Sequence, residues 1–268
     1  MSRLIFYKQT IRQLITDLDA SILVVAGHKN DRDVLLDLGF TNVVISNIDP
    51  RITDTEFHPY RFSFQDAHQL TFDDGEFDFV IAHASLHHCS SPHRALLEMY
   101  RVARIGLLAV EARDSLTMKL LKRLNLSPDY EWVGVFCMEE GKQGGVNNTE
   151  IPNFIYRWTE NEFEKTINSV APYAKHRFIY KYGFAPPGTP GIIRRDWLKR
   201  FVIFALQPIY KLFAFFFPRQ QNLFAFFVCK PIFPDDLHAW VTLCEGKFEF
   251  NRAWAEKVLS NSPTNRTN

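Results

Sequence analysis

Cysteine is scarce and scattered: the four in 268 residues, Cys89, Cys137, Cys229 and Cys244, form no C-x-x-C pair. That spacing offers neither a zinc knuckle nor a disulfide framework, and it fits a reducing compartment. A surplus of charge is missing as well. Lys+Arg number 31 and Asp+Glu 30, a net charge of +1, which argues against a dedicated polyanion binder. The first twenty residues, MSRLIFYKQTIRQLITDLDA, lack the apolar centre and small-residue cleavage site of a signal peptide. A cytoplasmic location is expected. No internal repeat and no low-complexity tract interrupts the chain. Apolar residues at 46% and charged ones at 23% exclude wholesale disorder.

What is abundant is the alternation of strand and helix signals. SILVVAG is a short apolar run closed by glycine, the pattern of a buried parallel strand. DRDVLLDLGF puts Val34, Leu35 and Leu38 on one helical face and stops at Gly39, and TNVVISNID is the next strand. FDFVIAH (77–83), a helix opened by Ser91-Pro92, and RIGLLAVEA (104–112) continue the series. Residues 1–112 therefore read as an open, doubly wound α/β sheet. WTENEFEKTINSV (158–170) reads as a helix capped by Thr159, KHRFIYKYGF as a strand, 192–216 as a helix, and 222–231 as a last core strand. The tail predicts a further helix around 236–259.

Ligands of such sheets bind beyond the carboxyl ends of the strands, so the residues there are the candidates. The turn Ala26-Gly27-His28 lets backbone N–H groups approach a ligand ahead of a helix N-terminus. Its single glycine leaves an ordinary strand-to-helix turn equally open. Asp49 follows Gly27 by 22 residues at the end of the second strand, a separation suited to holding ribose hydroxyls. His83, His87, His88 and Cys89 crowd the end of the 77–83 strand. Ligand softness there permits zinc, but no second cluster has suitable spacing, and no metal is expected. His87 or His88 reads either as packing or as a general base, since imidazole titrates near neutrality. Glu111, at the end of the fifth strand, reads either as facing the substrate or as pairing with Arg113, with the pairing slightly favoured.

The stretch FQDAHQLTFDDGEFDFVIAHASLHHCSSPHRALLEMYRVAR (64–104) resembles the class I S-adenosylmethionine-dependent methyltransferases, in particular their small-molecule branch. The Asp-Ala pair, the leucine and acidic turn, the F-D-x-V strand, the Leu-His-His loop, the proline-started helix and the Arg-Val-Ala-Arg ending occur in order. With the first strand–helix–strand unit the resemblance covers roughly 20–112. It implies a Rossmann-like fold: a mostly parallel, seven-stranded twisted sheet with helices on both faces and a cap inserted after the fifth strand. The cofactor implied is S-adenosyl-L-methionine. Asp66 would accept from the adenine amino group beside Ala67, and Asp49 would hold the ribose. Ala26, Gly27 and His28 would line the methionine portion, with Ala82 and His83 next to it. The family's first loop commonly carries three glycines, where Ala26, His28 and Asn30 stand among the corresponding residues here.

One domain over 1–268 is expected, divided into a cofactor-binding core (20–112), a cap (113–157) and a sheet-completing C-terminal part (158–268). The expected activity is methyl transfer to a small-molecule, sugar or lipid-like acceptor; a catalytically inactive relative that binds or scaffolds is the alternative. Nucleic acid is not an expected partner, because no [DNS]-P-P-[YF] motif follows the fourth strand and the charge is near neutral. The phenylalanine-rich 201–233 stretch is broken by Gln207, Pro208, Lys211 and Pro218–Asn222, so it does not span a bilayer. It reads as core helix plus core strand, with a peripheral membrane contact or a homodimer face through 194–217 left open.

Overall fold

The computed structural model describes residues 2–137, 143–185 and 197–260. Its centre is made by strands apolar at nearly every position. Ile22–Val25 (β1), Val43–Asn47 (β2) and Phe77–His83 (β4) are buried along almost their whole length, as a parallel strand covered on both faces requires. Arg61–Phe64 (β3), Ala103–Ala112 (β5), Arg177–Gly183 (β6) and Leu223–Cys229 (β7) complete a seven-stranded sheet in the order β3-β2-β1-β4-β5-β7-β6. The first five strands pair in parallel, and β7 runs antiparallel between β5 and β6. The mostly parallel seven-stranded sheet is thus as the resemblance implied.

Alternate residues of each strand feed opposite faces. Leu23, Val25, Val80, Ala82, Phe224 and Phe226 pack on one side with the helices Pro92–Val102 (α3) and Glu160–Val170 (α6). Ile22, Val24, Ile45, Ile81, Ala225 and Phe227 pack on the other with Arg3–Leu14 (α1) and Lys29–Leu38 (α2). Among the described residues between β5 and α6 lie the helices Leu116–Arg123 (α4) and Trp132–Cys137 (α5) and a short 3-10 turn at Val146–Asn148.

Three local expectations change. Ser91 makes no side-chain cap; its N–H instead donates to His68 Nε2 at 3.1 Å, and Pro92 alone starts α3. The tail forms a hairpin, Val241–Cys244 (β8) with Lys247–Phe250 (β9), before the helix Arg252–Ser260 (α8). Glu245 and Gly246 both take positive φ there, the two-residue turn that fits strand twist. The helix Trp197–Phe216 (α7) is not a core helix: Phe201, Phe204, Leu212 and Phe215 are exposed and, among its described side chains, only Ala214 is buried, whereas the strand half of the phenylalanine-rich stretch is buried.

Candidate functional site

The carboxyl ends of β1, β2, β3 and β4 and the segment carrying α5 surround a cavity of about 270 Å³. Of the expected cofactor residues, Ala26, His28, Asp49, Asp66 and Ala67 line it, together with His88. Gly27, Ala82, His83 and His87 do not. Gly27 serves packing: a Cβ there would come within 2.7 Å of Ile45 and 2.8 Å of Val24. Ala82 is fully buried within the sheet. His83 stacks on Tyr7 at 4.0 Å and reaches Asp31 at 3.3 Å.

The first turn does without its missing glycines at a cost. Ala26 has φ 51°, as does Ala84 after β4, a left-handed conformation that alanine adopts only when its surroundings impose it. Two polar groups impose it at Ala26. The Gly27 N–H donates to the Ser46 carbonyl at 2.9 Å, and Asn47 Nδ2 donates to the Gly27 carbonyl at 2.9 Å. Asn47 Oδ1 accepts from the Asp49 N–H at 3.0 Å, so one buried side chain ties the β1 turn to the end of β2. Sequence reasoning missed Asn47; a polar residue closing an apolar strand was its only signal. On the helix side, buried Asp31 accepts from the His28 N–H at 2.7 Å. Tyr7 lies in the field of that carboxylate, and burial, reinforced by Asp31, holds its hydroxyl well above the ordinary range.

Asp49 and Asp66 present carboxylates in different states. Arg51 grips Asp49, with Nε at 3.0 Å from Oδ1 and Nη2 at 2.6 Å from Oδ2, and this pairing lowers its pKa. Asp66 Oδ1 accepts from the backbone N–H of His68 at 2.9 Å and lies 2.7 Å from its Nδ1. Since His68 Nε2 accepts from Ser91, Nδ1 carries the proton and donates to Asp66. Asp66 Oδ2 is then the oxygen left for an amino group. His68, another residue sequence reasoning passed over, orients this carboxylate.

The histidine loop is built differently from the expectation. Glu111 does not pair with Arg113, which binds Glu160 at 2.6 Å instead. Buried Glu111 accepts from the N–H groups of Ser85 and Leu86 at 2.8 Å each, and lies 2.7 Å from His87 Nδ1. Glu131 sits 3.2 Å from His87 Nε2 and 3.6 Å from His88 Nε2. Burial alone would lower the His87 pKa, but Glu111 and then Glu131 outweigh it and push it up to about 9. His87 is therefore an imidazolium held between two carboxylates. Burial and the His87 charge lower His88, which is neutral at neutral pH and faces the cavity. The His87 hydrogen bond, ahead of the opposing burial, brings Glu131 down to about 2. His87, His88 and Glu131 also place ligand atoms within 4.8 Å of one another, the one grouping among the described residues with the proximity a cation needs.

The segment after β5 closes over this loop. Asn153 Nδ2 donates to the His87 carbonyl at 3.1 Å, and Asn147 bonds both the N–H and the hydroxyl of Ser90. Asn147 and Asn148 line the cavity, and Glu150 does not. Of the glycines there, Gly144 takes φ 87° and Gly145 has no room for a Cβ beside the Ile151 carbonyl, while Gly141 is outside the described residues.

Residues 26–110 match the model of a family described as a methyltransferase domain. No curated protein matches the chain. Among solved structures, it is similar to the PH0226 protein of Pyrococcus horikoshii OT3, at 16% identity and TM-score 0.51, covering 86% of this chain and 90% of that one. It is similar to the YcgJ protein of Bacillus subtilis at 13% identity and TM-score 0.51, covering 86% and 98%. A magnesium protoporphyrin IX methyltransferase from Synechocystis PCC 6803 with bound SAH matches at 13% identity and TM-score 0.47, covering 84% of each chain. At these identities the two structures with a TM-score of 0.51 speak to the fold alone.

Proposed function

We propose that this chain, whose residues 26–110 match a methyltransferase domain, is a class I S-adenosylmethionine-dependent methyltransferase, a cytoplasmic enzyme that methylates a small-molecule, sugar or lipid-like acceptor and has no nucleic-acid partner. The observation that carries the reading is convergence. Asp49, Asp66, Ala67, Ala26 and His28, drawn from the ends of three strands, meet around one cavity that also contains an uncharged histidine.

The donor set suits the cofactor. Asp66 Oδ2 is available to an adenine amino group, buried Ala67 offers its backbone edge to the ring, and Asp49 is the ribose acceptor, sharing its oxygens with Arg51. S-adenosylmethionine supplies a methyl group already activated on a sulfonium. The protein must then align the acceptor, exclude water and take up a proton. In this reading His88 takes the proton at its imidazole, and His87 is a positioning residue whose ion pairs with Glu111 and Glu131 hold the loop. The segment over 113–157 is the cap, with Asn147 and Asn148 on its inner side. Calorimetric titration with S-adenosylmethionine and with its demethylated product tests the reading. Saturable binding of both is expected; no uptake of either returns the chain to the inactive-relative alternative.

A further inference from the structure

The described part of α7 exposes a broad apolar face, while Gln207, Tyr210 and Ala214 on its other side are half-buried or buried. Phe204 and Phe215 are each 74% exposed, Phe201, Leu212 and Phe216 are exposed too, and only Ala214 is buried. A helix face this apolar needs a cover that no other described residue provides. A second helix repeats the feature: Leu116, Leu120 and Leu124, spaced four apart on and just after α4, form one exposed stripe. The two helices meet at the Pro218–Gln220 turn. Thr117 N–H donates to Gln220 Oε1 at 3.1 Å, and the Tyr210 hydroxyl, 2.5 Å from the Gln220 carbonyl, donates to it. The nearby α5 exposes Trp132, Val133 and Phe136, while Glu131 and Gly134 at the same helix line the cavity.

The charge on these helices has one sign. Neither α4 nor α7 contains an acidic residue, and their sequences hold Lys119, Lys122, Arg123, Lys199, Arg200 and Lys211. Lys119 and Lys122 have partners in Asp114 and Asp129 outside the helices, and Lys211 is exposed. Bulky apolar groups interspersed with bases and no acids suit the headgroup layer of an anionic bilayer. A self-complementary dimer would bring the bases of two copies together. No helix among the described residues is long and apolar enough to cross a membrane.

We propose that α4 and α7 together form a docking face for an anionic lipid surface, with the protein lying on the membrane. The docking stands on this surface alone and does not require the methyl-transfer reading. Full-length protein is mixed with vesicles of phosphatidylcholine, alone or blended with phosphatidylglycerol, and floated on a density gradient. Flotation with the blended vesicles is expected, weakening as salt is raised. Tryptophan emission should shift to the blue on binding, because Trp197 and Trp132 are exposed in the free protein. The double substitution Phe204→Glu, Phe215→Glu should lower partitioning at least about tenfold. Both side chains are exposed, so cofactor titration and far-UV circular dichroism of the variant should match the wild type. Absence of flotation with the blended vesicles overturns the proposal. So does a stable dimer in sedimentation equilibrium that this double substitution splits, since a second copy would then be the cover.

Discussion

Replacing Glu111 by Gln tests the charge state on which the histidine loop rests. The carboxylate satisfies three donors at once: two backbone N–H groups through Oε1 and His87 through Oε2. Glutamine keeps one oxygen and turns an NH₂ group towards a partner that needs an acceptor. Breaking a buried pair from one side costs about 3–5 kcal/mol. The pH dependence is more diagnostic than the loss itself. His87 rises from 6.5 to about 9 on folding, which at about 1.4 kcal/mol per unit amounts to about 3 kcal/mol. Because the folded value is the higher one, this stabilisation is complete below about pH 6.5 and disappears as pH climbs through about 9. Urea unfolding of wild type and Glu111→Gln across that window should show a gap widest at the acid end and narrowing by most of that amount at the alkaline end. Proton NMR of the imidazoles should find His87 titrating far lower in the variant. His88, relieved of a charged neighbour, should titrate closer to its ordinary value. A stability gap independent of pH, or a wild-type His87 that titrates near 6.5, would refute the ion-pair assignment.

His88→Ala should lower kcat about 10²–10⁴-fold with little change in S-adenosylmethionine affinity, and wild-type kcat should fall only below about pH 6.5, because the His88 pKa is lowered; a flat acid limb would remove His88 as the base. Asp49→Ala should weaken cofactor binding by about 2–3 kcal/mol in calorimetry, and an unchanged Kd would discard the ribose role. Neighbouring small residues should respond oppositely in urea unfolding. Ala26→Gly should gain up to about 1 kcal/mol by relieving a left-handed alanine, while Gly27→Ala should lose about 1–3 kcal/mol by driving a Cβ into Ile45 and Val24.

Most of the sheet was legible because its strands are buried on both faces and write long apolar runs. β3 was not, since Arg61–Phe64 lies at the sheet edge with mixed exposure and offers no such run. The 241–250 hairpin was read as helix because its short strands carry little burial pattern, and the turn depends on Glu245 as well as Gly246 taking positive φ. At the site, Asp49 and Asp66 could be named from spacing and resemblance. Glu131 could not: it reaches His87 across 44 positions, a distance set by the fold of the segment after β5. The absence of a nearby carboxylate in sequence was therefore no guide to what surrounds the histidines. Glu111 was visible at the end of β5 but assigned the wrong partner. Proximity in sequence favoured Arg113, whereas the alternation of side chains along the strand sends 111 and 113 to the same face but separate neighbours.

The glycine-poor turn has a physical consequence for how the cavity is kept in shape. A loop of glycines adopts left-handed backbone without strain but is also free to leave it. Here alanine occupies that conformation at both 26 and 84, each at φ 51°, and something must hold it there. The restraints are all polar and all cross from one strand end to another. Asn47 on β2 binds the Gly27 carbonyl, Ser46 takes the Gly27 N–H, the Ala84 N–H donates to Val110 on β5, and Glu111 holds Ser85 and Leu86. Buried bonds of this kind are expensive to break one at a time, because each leaves a partner unsatisfied. The ends of β1, β2, β4 and β5 thus behave as one unit, in which Ala26 and His88 line the same cavity. The Ser85 hydroxyl, donating to the Val25 carbonyl at 3.3 Å, joins the bonds of the β1 turn to those of the histidine loop, so the two keep their relative position without the help of a ligand. That is the requirement for a reaction in which alignment, more than acid–base assistance, lowers the barrier.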